Sequence, residues 1–329
     1  MNDLDMDDIQ KRFFVSLGLI WGVVLVARPF TKVTINYADF SANLYLSLIC
    51  ACFSLLAGRF GLNLLRGLAS LIAGLLLIML PMVTANYMAM SLDMPLADEL
   101  LANMDAAIGF DWHSFIAFVD ARPLLAAAFG EAYQSFLIQV VLVPALLLWL
   151  GYSRRAHAFM IAFGLLTLVA AVVAIWFPAY GTYTHYGYTD GQLANINSYF
   201  GFEFIEHFEA VRNNVEFHIS SQGISGILTF PSVHAGVAYL LIWATWTNIW
   251  LRYPFLLLNI MMALAAVVNA NHYLVDILAS IPLAALCIGI VRLVFGMHRN
   301  AADPAVSSQP GMQPVHFDQQ GSRMAGSGR

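Results

Sequence analysis

The stretch HYLVDILASIPLAALCIGIVRLVF, residues 272–295, is an apolar run of membrane length with a histidine at its mouth and an aspartate just inside. A helix needs about 17–25 predominantly apolar residues to cross a bilayer, and this run supplies them with Asp276 as its one charge before Arg292. An imidazole or carboxylate in apolar surroundings costs free energy unless its polar atoms find partners. Such residues at membrane depth mark functional sites. His272 and Asp276 are four positions apart, which puts them on one helical face a turn from each other. A second run opens in a related way: Phe230-Pro231-Ser232-Val233-His234 leads into apolar sequence that continues to Leu251.

Working outward, apolar runs of this kind dominate the chain. Of its 329 residues 60% are hydrophobic and 11% charged, with a mean hydropathy of +0.72, which places it among polytopic all-α membrane proteins. Eight spans are predicted, at residues 13–27, 40–58, 65–88, 124–149, 157–177, 231–251, 254–270 and 273–295. Pro81 and Pro144 fall inside spans, where neighbouring helices can satisfy the freed carbonyls. The net charge of -5 is spread over loops and tails without a basic patch, so nucleic acid is not an expected partner. Cys50, Cys52 and Cys287 all fall in apolar runs and suggest neither a disulfide framework nor a zinc site. The acidic start, with Asp3, Asp5, Asp7 and Asp8, is unlike a signal peptide, so the first span is expected to be retained.

Loop charges orient the spans. With the N-terminus inside, Lys11, Arg12, Arg59, Arg66, Arg154, Arg155, Arg252, Arg292 and Arg299 lie cytoplasmic, against Arg28, Lys32, Arg122 and Arg212 outside. The positive-inside bias favours this arrangement. It puts both termini in the cytoplasm and starts both histidine-bearing helices on the outer side, as in a bacterial inner-membrane protein. The expected divisions are 1–90 (an acidic tail and three spans), 91–123, 124–296 (the catalytic core) and a disordered cytoplasmic tail, 297–329. Segment 91–123 reads as amphipathic helices in the outer interface, anchored by Phe110, Trp112, Phe115 and Phe118. Segment 179–230 is a long outer loop rich in tyrosine and glycine, of a length that usually carries function.

The two helix starts suit phosphate chemistry. Asp276 can accept a hydrogen bond from one nitrogen of His272 and leave the other free as base or nucleophile. Proline is at home in a first helical turn, whose free N–H groups form an anion site. Ser232 and His234 at that site suit a phosphate, with His234 able to protonate a leaving oxygen.

These residues resemble the type 2 phosphatidic acid phosphatase (PAP2) superfamily, whose second motif is Pro-Ser-Gly-His and whose third ends in His-x-x-x-Asp. The form Phe-Pro-Ser-Val-His-Ala with His-Tyr-Leu-Val-Asp looks closest to the branch that contains inositol phosphorylceramide synthase. The acidic-aromatic segment 104–112 (MDAAIGFDW) is similar to one in that branch. The resemblance implies a six-helix core formed by the third to eighth spans. It implies that His272 attacks phosphorus to form a phosphohistidine, Asp276 orients it, His234 acts as general acid and Ser232 holds a phosphoryl oxygen. It implies no metal and no cofactor, since the superfamily uses cationic side chains where other phosphotransferases use magnesium.

The chain departs from the superfamily in its cations. The first motif, a lysine followed six residues later by Arg-Pro, is absent, and Ala266 stands where an arginine precedes the third-motif histidine. Arg212, in the outer loop before His234, is the candidate replacement for binding phosphate. The run Glu203, Glu206, His207, with His185 and His218, is a weaker metal candidate. Asn269 and Asn271 flank His272 and offer hydrogen bonds to the site.

The expected activity is therefore that of a lipid phosphatase or phospho-headgroup transferase in lipid, including sphingolipid, metabolism. Phosphatidic acid, a glycerophospholipid or ceramide would be its lipid substrate. The alternative is a non-catalytic lipid-binding membrane protein that retains the fold.

Overall fold

Backbone polar groups in hydrocarbon must be satisfied within their own segment, which favours helices wherever apolar runs are long. The computed structural model describes residues 3–221 and 224–297. In chain order, α1 (Asp3–Ala27) leads through a short strand, β1 (Val33–Ile35), to α2 (Ser41–Arg59) and α3 (Asn63–Met90). Two short helices follow, α4 (Asp98–Ala107) and α5 (Trp112–Asp120), and then the long α6 (Pro123–Trp149) and α7 (Ser153–Ala174). The next connection holds α8 (Thr182–His185), α9 (Tyr199–Phe202), α10 (Ile205–Asn213) and β2 (Phe217–Ile219). Three helices close the described chain: α11 (Val233–Thr245), α12 (Ile249–Asn269) and α13 (Leu274–Val294). The expected disordered tail lies outside the described residues, apart from its first residue.

Seven of these helices are long and apolar enough to cross a membrane: α1, α2, α3, α6, α7, α12 and α13. The protein is an all-α polytopic membrane protein. The sixth expected span is the one that differs. It is a 13-residue helix, α11, that ends at Thr245 instead of running to Leu251. Asn248 explains the break, because its side chain accepts from the Trp250 N–H (2.9 Å) and caps α12 several residues ahead of Pro254.

The core is built around α11, which packs on α6, α7, α12 and α13. Close approach to α7 depends on Gly236, where a Cβ would meet the Leu166 side chain at 2.7 Å. On the periphery, α1 packs against α3 and α7, and α2 against α3. A buried polar cluster fastens α1 inside this apolar setting: Arg66 Nε donates to Gln10 Oε1 (2.8 Å), and Gln10 Nε2 donates to Ser54 Oγ (2.7 Å).

Hydropathy does not foretell the two strands. β1 and β2 form a parallel pair, Val33 opposite Phe217 and Ile35 opposite Ile219, and join the α1–α2 connection to the long α7–α11 connection. The aromatic anchors of segment 91–123 also divide. Phe118 is exposed, whereas Trp112 is 2% exposed and stacks on Tyr186 with ring centroids 5.0 Å apart. Trp112 is therefore a packing residue of the α4–α8 region and not a membrane anchor.

Candidate active site

His272 lies in the bend between α12 and α13, and local capping decides how it points. Asp276 is at the third position of α13, where its Oδ2 accepts from the Tyr273 backbone N–H (2.9 Å) and faces His272 Nδ1 at 3.1 Å. The same oxygen thus caps the helix and orients the ring. On the other side of the ring, Ser232 Oγ lies 3.2 Å from His272 Nε2. Ser232 is itself the N-cap of α11, accepting from the Ala235 N–H at 3.3 Å. With Nδ1–H donating to Asp276, Nε2 carries the lone pair and Ser232 donates to it.

The starts of α11 and α13 are stitched together. The Ser232 N–H donates to the Asp276 carbonyl (3.2 Å), and Ser280 Oγ sits within 2.7 Å of the Ser232 carbonyl and 2.8 Å of that of Asp276. Ser280, one turn beyond Asp276, is absent from the sequence-based set. Its only sequence signal is the further step of four along the same face.

His234, on the first turn of α11, makes ring contacts. It stacks on Tyr133 (centroids 4.4 Å apart, 15° between planes) and packs against Phe136 at 4.4 Å, both from α6. His234 and His272 are near enough to interact electrostatically. Burial lowers the His272 imidazole to about 4, against an opposing effect of the Thr229 carbonyl, so the ring is neutral at pH 7.

The structure brings Ser232, His272 and Asp276 into one hydrogen-bonded line with His234 nearby, and Arg212 bonds to residues outside that line. Arg212 Nη2 pairs with Asp93 (2.9 Å) and donates to the Met94 carbonyl (2.9 Å), and its guanidinium lies over Phe208. The asparagines also turn away from the ring. Asn271 donates to the Tyr180 carbonyl (2.9 Å) and to Thr229 Oγ1 (3.3 Å), and Asn269 to the Asn197 carbonyl (3.2 Å). Ala266 is buried in the helical core. The histidines of the weaker metal candidate are dispersed: His207 meets Tyr87, His218 meets Thr34, and His185 packs on Tyr186. Among the described residues no three His, Cys, Asp or Glu side chains converge as a metal site would need.

Two aspartates of α4 surround the bend and were not singled out by sequence. Asp98 accepts from the Tyr180 N–H (3.0 Å), the Gly181 N–H (2.7 Å) and the Tyr273 hydroxyl (2.9 Å). Asp105 accepts from the Leu274 and Val275 N–H groups, both at 2.8 Å.

A family model described as the PAP2 superfamily matches residues 99–290, more than half of the chain, from α4 to the later turns of α13. The chain belongs to the PAP2 superfamily. No curated protein and no solved structure matches it. Membership in the PAP2 superfamily points to lipid phosphatase or phosphotransferase chemistry. The matched region contains both histidine motifs and leaves α1, α2 and α3 outside it.

Proposed function

We propose that this PAP2 protein is a membrane lipid phosphotransferase or phosphatase that works through a phosphohistidine on His272, with its site at the outer face of a bacterial inner membrane. The observation that carries the reading is the line from Asp276 through His272 to Ser232, at 3.1 and 3.2 Å. It leaves Nε2 with a directed lone pair on a neutral ring.

In the first step Nε2 attacks phosphorus and the bond from phosphorus to the lipid alcohol oxygen breaks. His234 supplies the proton that this oxygen takes up. Ser232 moves its hydrogen bond from Nε2 to a phosphoryl oxygen, and the free N–H groups at the start of α11 face the developing charge. Arg212, engaged with Asp93 and Met94, is not given this task. In the second step water or a lipid alcohol attacks the phosphohistidine, giving hydrolysis or transfer, and returns the proton to His234. Ceramide is the acceptor favoured by the resemblance to the synthase branch.

The test is mass spectrometry of lipid products from wild type and His272→Ala, offered phosphatidic acid and a glycerophospholipid, with and without ceramide. Dephosphorylation lost in the variant supports a phosphatase, and a ceramide phospholipid lost in the variant supports a synthase. Products unchanged by His272→Ala, or function in cells that survives the substitution, would support a non-catalytic or differently built protein.

The same geometry favours a second reading, in which Ser232 is the nucleophile and His272 its base, as in serine hydrolase triads. The two readings differ in the trapped intermediate. Phosphohistidine is acid-labile, whereas phosphoserine survives acid.

A further inference from the structure

We propose that Asp105 is a positioning residue for this reaction: by capping α13 it fixes the turn that carries both His272 and Asp276. The inference rests on the proposed function of His272.

The first N–H groups of any helix lack intrahelical partners. In α13 two of them, from Leu274 and Val275, are both taken by one carboxylate reaching across 169 and 170 residues of chain. Asp105 is 1% exposed, so these are buried, charge-assisted bonds, one N–H donating to each carboxylate oxygen. The positive end of the helix favours an anion at this place. Burial raises the Asp105 carboxyl, and the two N–H bonds oppose that rise.

The geometry makes Asp105 a lever on the site. Leu274 and Val275 lie between His272 and Asp276, so a rotation of this turn moves the ring and its orienting carboxylate together. Asp98, on the same buried face of α4, holds Tyr273 and the chain at Tyr180 and Gly181. α4 therefore grips the bend from both sides of Tyr273. Because Asp105 fills the start of α13, the substrate phosphate is left to the start of α11. Asp105 touches no reacting atom in this scheme.

The experiment compares wild type, Asp105→Asn and Asp105→Ala in detergent micelles, with phosphatidic acid turnover as readout. Displacement of a catalytic group on this scale costs about 10- to 100-fold in rate. Asp105→Asn should lower kcat by about that factor and leave KM within about twofold at an unchanged Tm. Formate should restore kcat severalfold in Asp105→Ala, and should not in His272→Ala. In parallel, the rate at which diethylpyrocarbonate acylates His272, followed by peptide mass spectrometry, should rise at least threefold in Asp105→Asn. Folded Asp105→Asn with wild-type kcat overturns the inference and leaves the functional reading standing. If wild type turns over neither phosphatidic acid nor a glycerophospholipid, with or without ceramide, the functional reading fails, and an unchanged acylation rate then overturns the positioning role by itself.

Discussion

Gly181 and Asn271 stand back to back, so that a Cβ on Gly181 would lie 2.1 Å from the Asn271 carbonyl oxygen. Gly181 also has a φ of +87°, which L side chains rarely adopt. The contact joins the outer loop to the residue before His272, and the Thr182 N–H donates to the same carbonyl at 3.0 Å. Gly181→Ala should therefore cost about 1–3 kcal/mol of stability through strain, and lower kcat as the bend shifts. Thermal unfolding in detergent together with turnover checks this. A Tm and kcat equal to wild type would show that the junction yields freely.

Ser232→Ala removes both the hydroxyl that faces Nε2 and the N-cap of α11. Loss of one donor to a developing oxyanion typically costs about 10²–10³ in kcat. A loss of that size with a phosphoenzyme that still forms, acid-labile, agrees with a phosphate-holding role. Complete loss of the phosphoenzyme would favour Ser232 as nucleophile.

Asp276→Asn keeps the size of the side chain and replaces its carboxyl group by an amide. Asparagine can still accept from Tyr273 N–H, so the start of α13 should survive. The imidazole then faces an amide oxygen, a weaker orienting partner, and Asp-to-Asn replacement beside a catalytic histidine can cost up to about 10⁴ in rate. Circular dichroism close to wild type with kcat down at least about 10²-fold is the expected pair of results.

His234 is assigned to protonating the leaving oxygen, and leaving groups differ in how much they need a proton. His234→Ala should slow lipid phosphate turnover by about 10²–10⁴. Its effect on p-nitrophenyl phosphate should be less than about tenfold, because that phenolate leaves unaided. Equal losses on both substrates would take the general-acid role away from His234.

The lowered value of His272, about 4 against an ordinary 6.5, sets an acid-side dependence. Between these values the unfolded chain binds more protons than the folded one at this group. Its contribution to stability is thus complete above pH 6.5 and is lost as pH falls toward 4. Activity should fall on the same side as the nucleophile is protonated. Urea unfolding and initial rates measured across pH 4–9 test both. A His272→Gln variant whose stability keeps the full acid-side slope would assign that slope to other groups.

Hydropathy made the helices legible because lipid leaves the backbone one economical solution. It failed at α11, where a single capping asparagine ended a helix inside an otherwise unbroken apolar run. Ser232, His272 and Asp276 were legible because polar residues in apolar sequence need partners: His272 has Asp276 within its own motif, and Ser232 stands at the start of the other. The partners of Asp98 and Asp105 were not, since these bonds cross 82 to 175 residues of chain and four of the five go to backbone N–H groups that carry no side-chain signature. Arg212 was chosen as the cation of its loop. Asp93, its actual partner, lies on the far side of α4, α5, α6 and α7 in sequence, beyond what spacing can reveal. The strand pair was too short to show any alternation.

The parallel pairing of β1 with β2 bears on how a lipid gets in. The α7–α11 connection is fastened near its start by Asp98 at Tyr180 and Gly181, in its middle by Asp120 at residues 194–196, and near its end by β1. These three fastenings tie the connection to residues 33–120 and oppose its opening as a lid. On the proposed function, a two-chain substrate would then come sideways, keeping its acyl tails in the leaflet and sliding its headgroup between helices to reach His272.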